Sequence, residues 1–248
     1  MCGRFSLTAE PEELQELFGV LEFGHFPARY NIAPTQPILT VGIGALGDRQ
    51  GMLVRWGLIP HWVKDPNDFT LLINARSETA STKASFKTAM RHRRVLIPAS
   101  GFYEWHRPAD KKQPKQAYWI SPRDQKTICF AGLVETWMGK DGTEIDTGCI
   151  LTTQSNDQIG NIHHRMPVVI KPEDFDRWLD CKTQEPRDVA NLMQPIEDGF
   201  FEAIAVSDRV NKVANTGPEV QVPGTAEPAV AKPKQTKEKP DTGQMDLF

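Results

Sequence analysis

The chain has 248 residues, 39% of them hydrophobic and 25% charged, with a net charge of -3. That is the balance of an ordinary soluble globular protein, and it excludes a broad basic surface of the kind that grips long duplex DNA, while leaving room for a small basic cleft. The four cysteines, Cys2, Cys129, Cys149 and Cys181, have no CxxC or metal-type spacing, so no metal site and no cofactor is expected and a reduced cytoplasmic protein fits best. No apolar stretch is long enough to span a membrane, and Met1–Phe5 lacks the regions of a signal peptide.

In chain order, Leu14, Leu17 and Phe18 mark an early amphipathic helix, and Gly51–Ile59 reads as a strand. A short helix over Ser85–His92 precedes a strand at Arg94–Pro98. Gln116–Ile120, Thr127–Val134 and Cys149–Thr153 are further strands, rich in β-branched and aromatic residues. Glu173–Leu179 is a helix after Pro172, and Phe201–Val206 a late strand. Strands outnumber helices and do not alternate with them. This predicts a single α+β domain around a curled, mainly antiparallel, barrel-like sheet with short flanking helices. From Pro218 to Gly243 the chain is rich in Pro, Lys, Glu and Thr and has no aromatic residue, so residues 218–243 are expected to form a disordered linker after a folded region of residues 1–217.

Position 2 is the most reactive candidate. Removal of Met1 would give an N-terminal Cys2 with an amine and a thiol on adjacent carbons. An aldehyde forms an imine with such an amine, and the thiol then closes a thiazolidine ring. Both groups titrate near neutrality, at about 7.7–8.0 and about 8.5, so each is partly nucleophilic. Alone, Cys2 reads as readily as an inconsequential surface residue.

Three other segments carry candidate chemistry. In GFYEWH, Phe102, Glu104 and His106 share one face of an alternating run. A carboxylate among aromatics is either a desolvated acid–base group or part of a strand whose polar face meets water. In NIHHRMP, His163 or His164 could move protons and Arg165 could hold a phosphate, or the pair could be ordinary surface histidines. In INARSET, Asn74 and Arg76 offer donors suited to sugar or phosphate. Lys87, Arg91, Arg93 and Arg94 form the densest basic cluster, and Trp56, Trp62 and Phe69 supply aromatic surface nearby in sequence. Interleaved cations and rings suit single-stranded nucleic acid, and equally a solvated helix face beside core aromatics.

Taken in order, MCGRF, ARYNIAP at Ala28–Pro34, WGLIP at Trp56–Pro60, INARSET, GFYEW, IHHRMP and the VN at Val210–Asn211 resemble the SOS response-associated peptidase (SRAP) family, also called abasic-site processing proteins. The resemblance runs from Met1 to about Gly217. It implies a sensor of abasic sites in single-stranded DNA that crosslinks to them through the N-terminal cysteine, with lyase-type chemistry and an (auto)peptidase activity. It assigns the active-site roles to Cys2, Asn74, Glu104 and His163, with His164 at a variable position. It also places Arg4, Arg76 and Arg165 on DNA phosphates and Pro34 and Trp62 along the strand's path. Where the family often has a second aromatic residue after Trp62, this chain has Val63. Two other readings are a thiol peptidase using Cys2 with His163, and a non-catalytic module that binds single-stranded DNA.

The chain finishes in QMDLF, which resembles the peptide by which bacterial proteins bind the DNA polymerase sliding clamp. Gln244, Asp246, Leu247 and Phe248 match that pattern. Leu247 and Phe248 would fill an apolar pocket and Gln244 would make the polar anchor. The expected setting is the bacterial cytoplasm, at the nucleoid when bound to DNA, as a monomer.

Overall fold

The computed structural model describes residues 2–20, 26–108, 110 and 113–225. Thirteen strands carry the fold: β1 Phe5–Leu7, β2 Arg29–Ile32, β3 Pro37–Ile43, β4 Arg49–Trp56, β5 Asn74–Arg76, β6 Arg94–Ala99, β7 Gly101–His106, β8 Gln116–Pro122, β9 Ile128–Met138, β10 Glu144–Gln154, β11 Arg165–Pro167, β12 Val169–Ile170 and β13 Phe201–Val206. The helices are short: α1 Pro11–Phe18, α2 Ser77–Ala80, α3 Lys87–His92, α4 Asp157–Gly160 and α5 Phe175–Leu179. Pro11 opens α1 where its missing N–H costs nothing, and Gly19 closes it in the left-handed region at φ 64°.

Two sheets face each other. The five-stranded sheet runs β13-β8-β7-β1-β2, and the eight-stranded sheet closes on itself because β9 pairs both β6 and β10. Strands β3, β4, β10, β9 and β6 form the resulting barrel. Most pairs are antiparallel, as expected, but β4 and β5 both run parallel to β10. Aromatic residues fill the space between the sheets. Phe5 meets Trp56 edge-on at 5.2 Å and Phe130 at 6.0 Å, and Phe102 meets Phe130 at 6.1 Å. Each such pair contributes about 0.5–1.5 kcal/mol beyond the area it buries.

The outer face of the five-stranded sheet is covered too. Tyr103, Ala117, Val206, Val210 and Val220 form a second apolar cluster there. The packed chain therefore passes the expected boundary at Gly217. Pro218–Val220 makes a 3-10 turn, Val220 is fully buried, and Pro223 bridges to Val206. One valine between prolines was enough to seat this segment although its composition is that of a linker. The expected linker from residue 226 onward and the whole of Gln244–Phe248 lie outside the described residues. Among the described residues no helix is long and apolar enough to cross a membrane.

Candidate active site

Strand β1 lies between β7 and β2, with Phe5 opposite Phe102. Extending that antiparallel register two residues toward the terminus sets Gly3 across from Glu104, and the Tyr103 N–H donates to the Arg4 carbonyl at 2.9 Å. The sheet thus delivers Cys2 to the end of β7. Cys2 is fully buried, and its Sγ lies 3.6 Å from the Arg4 carbonyl oxygen. Burial pushes the thiol well above its ordinary range, and the negative charge of Glu104 adds to the rise.

Asn74 arrives from the barrel side. The Trp56 indole N–H donates to the Ile73 carbonyl at 2.9 Å, and Leu58 bridges Leu72. Gly57 links these contacts at φ 131°, where a Cβ would lie 2.2 Å from Leu71 Cδ1, so glycine alone fits the turn. Parallel pairing of β5 with β10, Asn74 opposite Ile150, completes the placement. The Asn74 amide then donates from Nδ2 to the Cys2 carbonyl at 2.8 Å. Its Oδ1 is buried and makes no hydrogen bond among the described residues.

Glu104 shares the barrel-facing side of β7 with Phe102, and only 3% of it is exposed. The carboxylate is therefore desolvated and does not lie on a face that meets water. Burial raises its carboxyl above the usual range, partly offset by nearby positive charge. His163 Nδ1 lies 3.9 Å from Glu104 Oε1 and 3.1 Å from both the amide nitrogen and the carbonyl oxygen of Arg165. Asn156 caps α4 by accepting from the Ile159 N–H at 3.0 Å, and the His163 N–H donates back to the Ile159 carbonyl at 3.0 Å. Burial lowers the His163 imidazole below its ordinary value, so it is neutral near pH 7. The exposed His164 stacks on it at 4.5 Å between ring centres.

The residues expected along a DNA path are placed in different ways. Arg4 is half-buried, and its guanidinium donates to Asn31 Oδ1 at 2.7 Å and to the Val210 carbonyl at 2.7 Å. Asn31 is itself 3% exposed and donates to the carbonyls of Val210, Lys212 and Asn215. Asn211 accepts from the Trp105 indole at 2.8 Å. Arg76 is exposed and Pro34 half-buried. Trp62 is 49% exposed and meets Phe69 edge-on at 5.8 Å. Val63 packs inward with Ile59 and Trp137, and its carbonyl accepts from the Trp137 indole at 2.7 Å.

Arg165 differs from an exposed phosphate contact. It is 6% exposed, and its guanidinium spans both carboxylate oxygens of Glu78. Of the basic cluster, Lys87 and Arg93 are exposed and Arg94 turns inward. Arg94 is 2% exposed and donates to the carbonyls of Trp178, Met90, Asp180 and Gln184 at 2.7–3.0 Å, while Arg91 pairs with Glu185 at 2.7 Å. Arg94 thus has all three guanidinium nitrogens bonded, whereas Arg165 Nε is buried with no hydrogen-bond partner among the described residues. Asn31 and Glu78 carry no signal in the sequence beyond lying inside ARYNIAP and INARSET.

Fold and site together define an α+β protein whose buried thiol sits beside a desolvated carboxylate and a neutral imidazole. The model of the family described as "SOS response associated peptidase (SRAP)" matches residues 1–213, and the chain belongs to that family. It is 40% identical over 224 residues to "Abasic site processing protein YoqW" of Bacillus subtilis (strain 168), covering 89% of this chain and 98% of that protein. It is 36% identical over 224 residues to "Abasic site processing protein YoaM" of the same strain, covering 89% and 97%. An X-ray crystal structure of a protein from Bacteroides thetaiotaomicron has the same fold, with a TM-score of 0.79 at 24% identity, covering 90% of this chain and 100% of that one.

Proposed function

We propose that the protein senses abasic sites in single-stranded DNA and joins itself to them through Cys2 once Met1 is removed. The observation that carries this reading is the 2.8 Å bond from Asn74 Nδ2 to the Cys2 carbonyl. That bond fixes the residue bearing amine and thiol beside the Glu104–His163 pair. Neutral His163 can take the proton from the anomeric hydroxyl as the sugar ring opens and return one to the ring oxygen. The Cys2 amine then adds to the exposed aldehyde, and the adduct takes up one proton from solvent and loses one water, which leaves an iminium. The thiol adds to the iminium carbon, and its proton passes to the Glu104 carboxylate, giving the thiazolidine. Asn74 Oδ1 would accept from the amine or a sugar hydroxyl. Arg4, Arg76, Pro34 and Trp62 are proposed to hold the strand, with Trp62 supplying a stacking surface worth about 1–3 kcal/mol per base.

The thiol-peptidase reading draws less support from the site. Attack on an amide needs a thiolate, and burial together with the charge of Glu104 opposes one at Cys2. An iminium is a far stronger electrophile and can capture a thiol as its proton leaves. Intact-mass measurement after incubation with an abasic oligonucleotide decides among the readings. The expected product has the summed mass of Met1-free protein and oligonucleotide, less one water, and survives denaturation. Peptide cleavage without adduct would support the peptidase, and a reversible gel shift alone would support a binding module.

We further propose that Gln244–Phe248 docks on the bacterial sliding clamp, which would bring the domain to sites of replication. Its support is the match of Gln244, Asp246, Leu247 and Phe248 to the clamp-binding pattern. Deleting these residues should abolish retention on immobilised clamp while leaving adduct yield unchanged. Undiminished retention would reject the assignment.

A further inference from the structure

We propose that Glu78 is a positioning residue for the site, acting through Arg165 to lock the Asn74 strand against the His163 loop. The inference rests on the crosslinking reading above. Asn74 opens β5, and Glu78 sits in the first turn of α2, directly after that strand. Arg165 opens β11, and its backbone amide touches His163 Nδ1 at 3.1 Å. Strands β5 and β11 both pair with β10, where Thr152 lies opposite Arg76 in one ladder and opposite Pro167 in the other. One ion pair therefore closes a bracket around β10 and ties together the two segments that reach Cys2 and Glu104.

The chemistry of the pair fits a permanent brace. The Arg165 side chain is 7% exposed and that of Glu78 44%. Arg165 NH2 also donates to the Thr152 carbonyl. A guanidinium so buried keeps its charge and needs a matched counter-ion. Glu78 supplies it with both carboxylate oxygens, NH1 reaching Oε1 at 2.5 Å and NH2 reaching Oε2 at 2.9 Å. The hydrogen bond from Arg165 holds the Glu78 carboxyl below the usual carboxylate range, so Glu78 stays ionised at neutral pH. With both oxygens engaged, Glu78 acts on the reaction through Arg165 and has no direct part in it.

The test compares adduct formation by the full-length wild type, Glu78→Gln and Glu78→Asp on abasic single-stranded oligonucleotide. Maximal rate and half-saturating DNA concentration are read separately, beside thermal melting. For Glu78→Gln the maximal rate should fall at least about tenfold, as expected from misplacing a reacting group by a fraction of an ångström, with half-saturation within about twofold of wild type. Glu78→Asp keeps the charge, should melt near the wild-type temperature, and should be slowed about threefold or more at unchanged half-saturation. A wild-type rate in Glu78→Asp, or a defect confined to half-saturation or to its salt dependence, would overturn the proposal. The latter would make Arg165 a phosphate contact that Glu78 merely neutralises. Absence of adduct from the wild type itself would instead remove the crosslinking reading.

Discussion

Replacing Cys2 by serine is expected to abolish the denaturation-resistant adduct while leaving the fold intact. The α-amine survives in Cys2→Ser, so the imine with an abasic aldehyde can still form. The hydroxyl is a much weaker nucleophile than the thiol and does not drive the ring closed. Two measurements separate the steps. Denaturing electrophoresis after incubation should show background adduct, whereas the same mixture treated with borohydride should show a trapped secondary amine. Cys2 is fully buried, so the substitution exchanges one buried polar group for another at a cost of about 1 kcal/mol, visible as a small drop in melting temperature. A wild-type yield of resistant adduct from Cys2→Ser would end the assignment. So would a normal yield from protein whose N-terminal amine has been acetylated.

Glu104→Gln should slow adduct formation by about 10²–10⁴-fold, the range for loss of a positioned acid–base group. The pH dependence gives the sharper check. Glu104 must be ionised to accept the thiol proton, and burial raises its carboxyl. The wild-type rate should therefore climb with pH through a limb lying above the usual carboxylate range of about 4.3, and that limb should vanish in Glu104→Gln. Stability should move the other way. A carboxyl whose folded pKa is raised favours the fold while protonated. That contribution is full below its unfolded pKa and is lost as pH rises through the folded value. Glu104→Gln should then match or exceed wild-type resistance to urea at neutral pH, with the advantage shrinking toward acid. A variant equally active, or one less stable at neutral than at acid pH, would show that Glu104 is not the desolvated base described here.

How much of this was legible in the sequence depended on the distance over which each interaction acts. Strand β13, Phe201–Val206, was read with its observed bounds because six residues of apolar, partly β-branched character carry the signal locally. The amphipathic helix at Leu14–Phe18 was legible for the same reason. Strand β5 carried no such signal. It is three residues long and exists because β10, more than seventy residues later in the chain, offers it a parallel edge. Barrel closure was equally hidden, since it depends on β9 pairing two partners at once.

The site divides along the same line. Alternation in GFYEWH correctly put Glu104 with Phe102, but only the barrel on that side determined that the shared face is dry. That Arg165 is paired with Glu78 was hidden because the two lie 87 residues apart. Asn31 sat unremarked within ARYNIAP because the carbonyls it gathers belong to residues 210–215, on the far side of the chain. Val220 corrected the boundary at Gly217 for a related reason. Composition averages over a segment, and a single side chain with a cluster to enter can outweigh it.

The place of β1 has a mechanical consequence. It is an interior strand, bonded along one edge to β2 and along the other to β7, and Phe5 is sunk against Trp56 and Phe130. A DNA strand joined at Cys2 would be tethered to that strand by three residues of backbone. Tension applied by a motor advancing along the DNA would load the two hydrogen-bonded ladders that hold this strand and the inter-sheet core behind Phe5. The bond to the nucleic acid is covalent and would outlast the fold, so clearing the obstruction would require unfolding or digesting the protein around it.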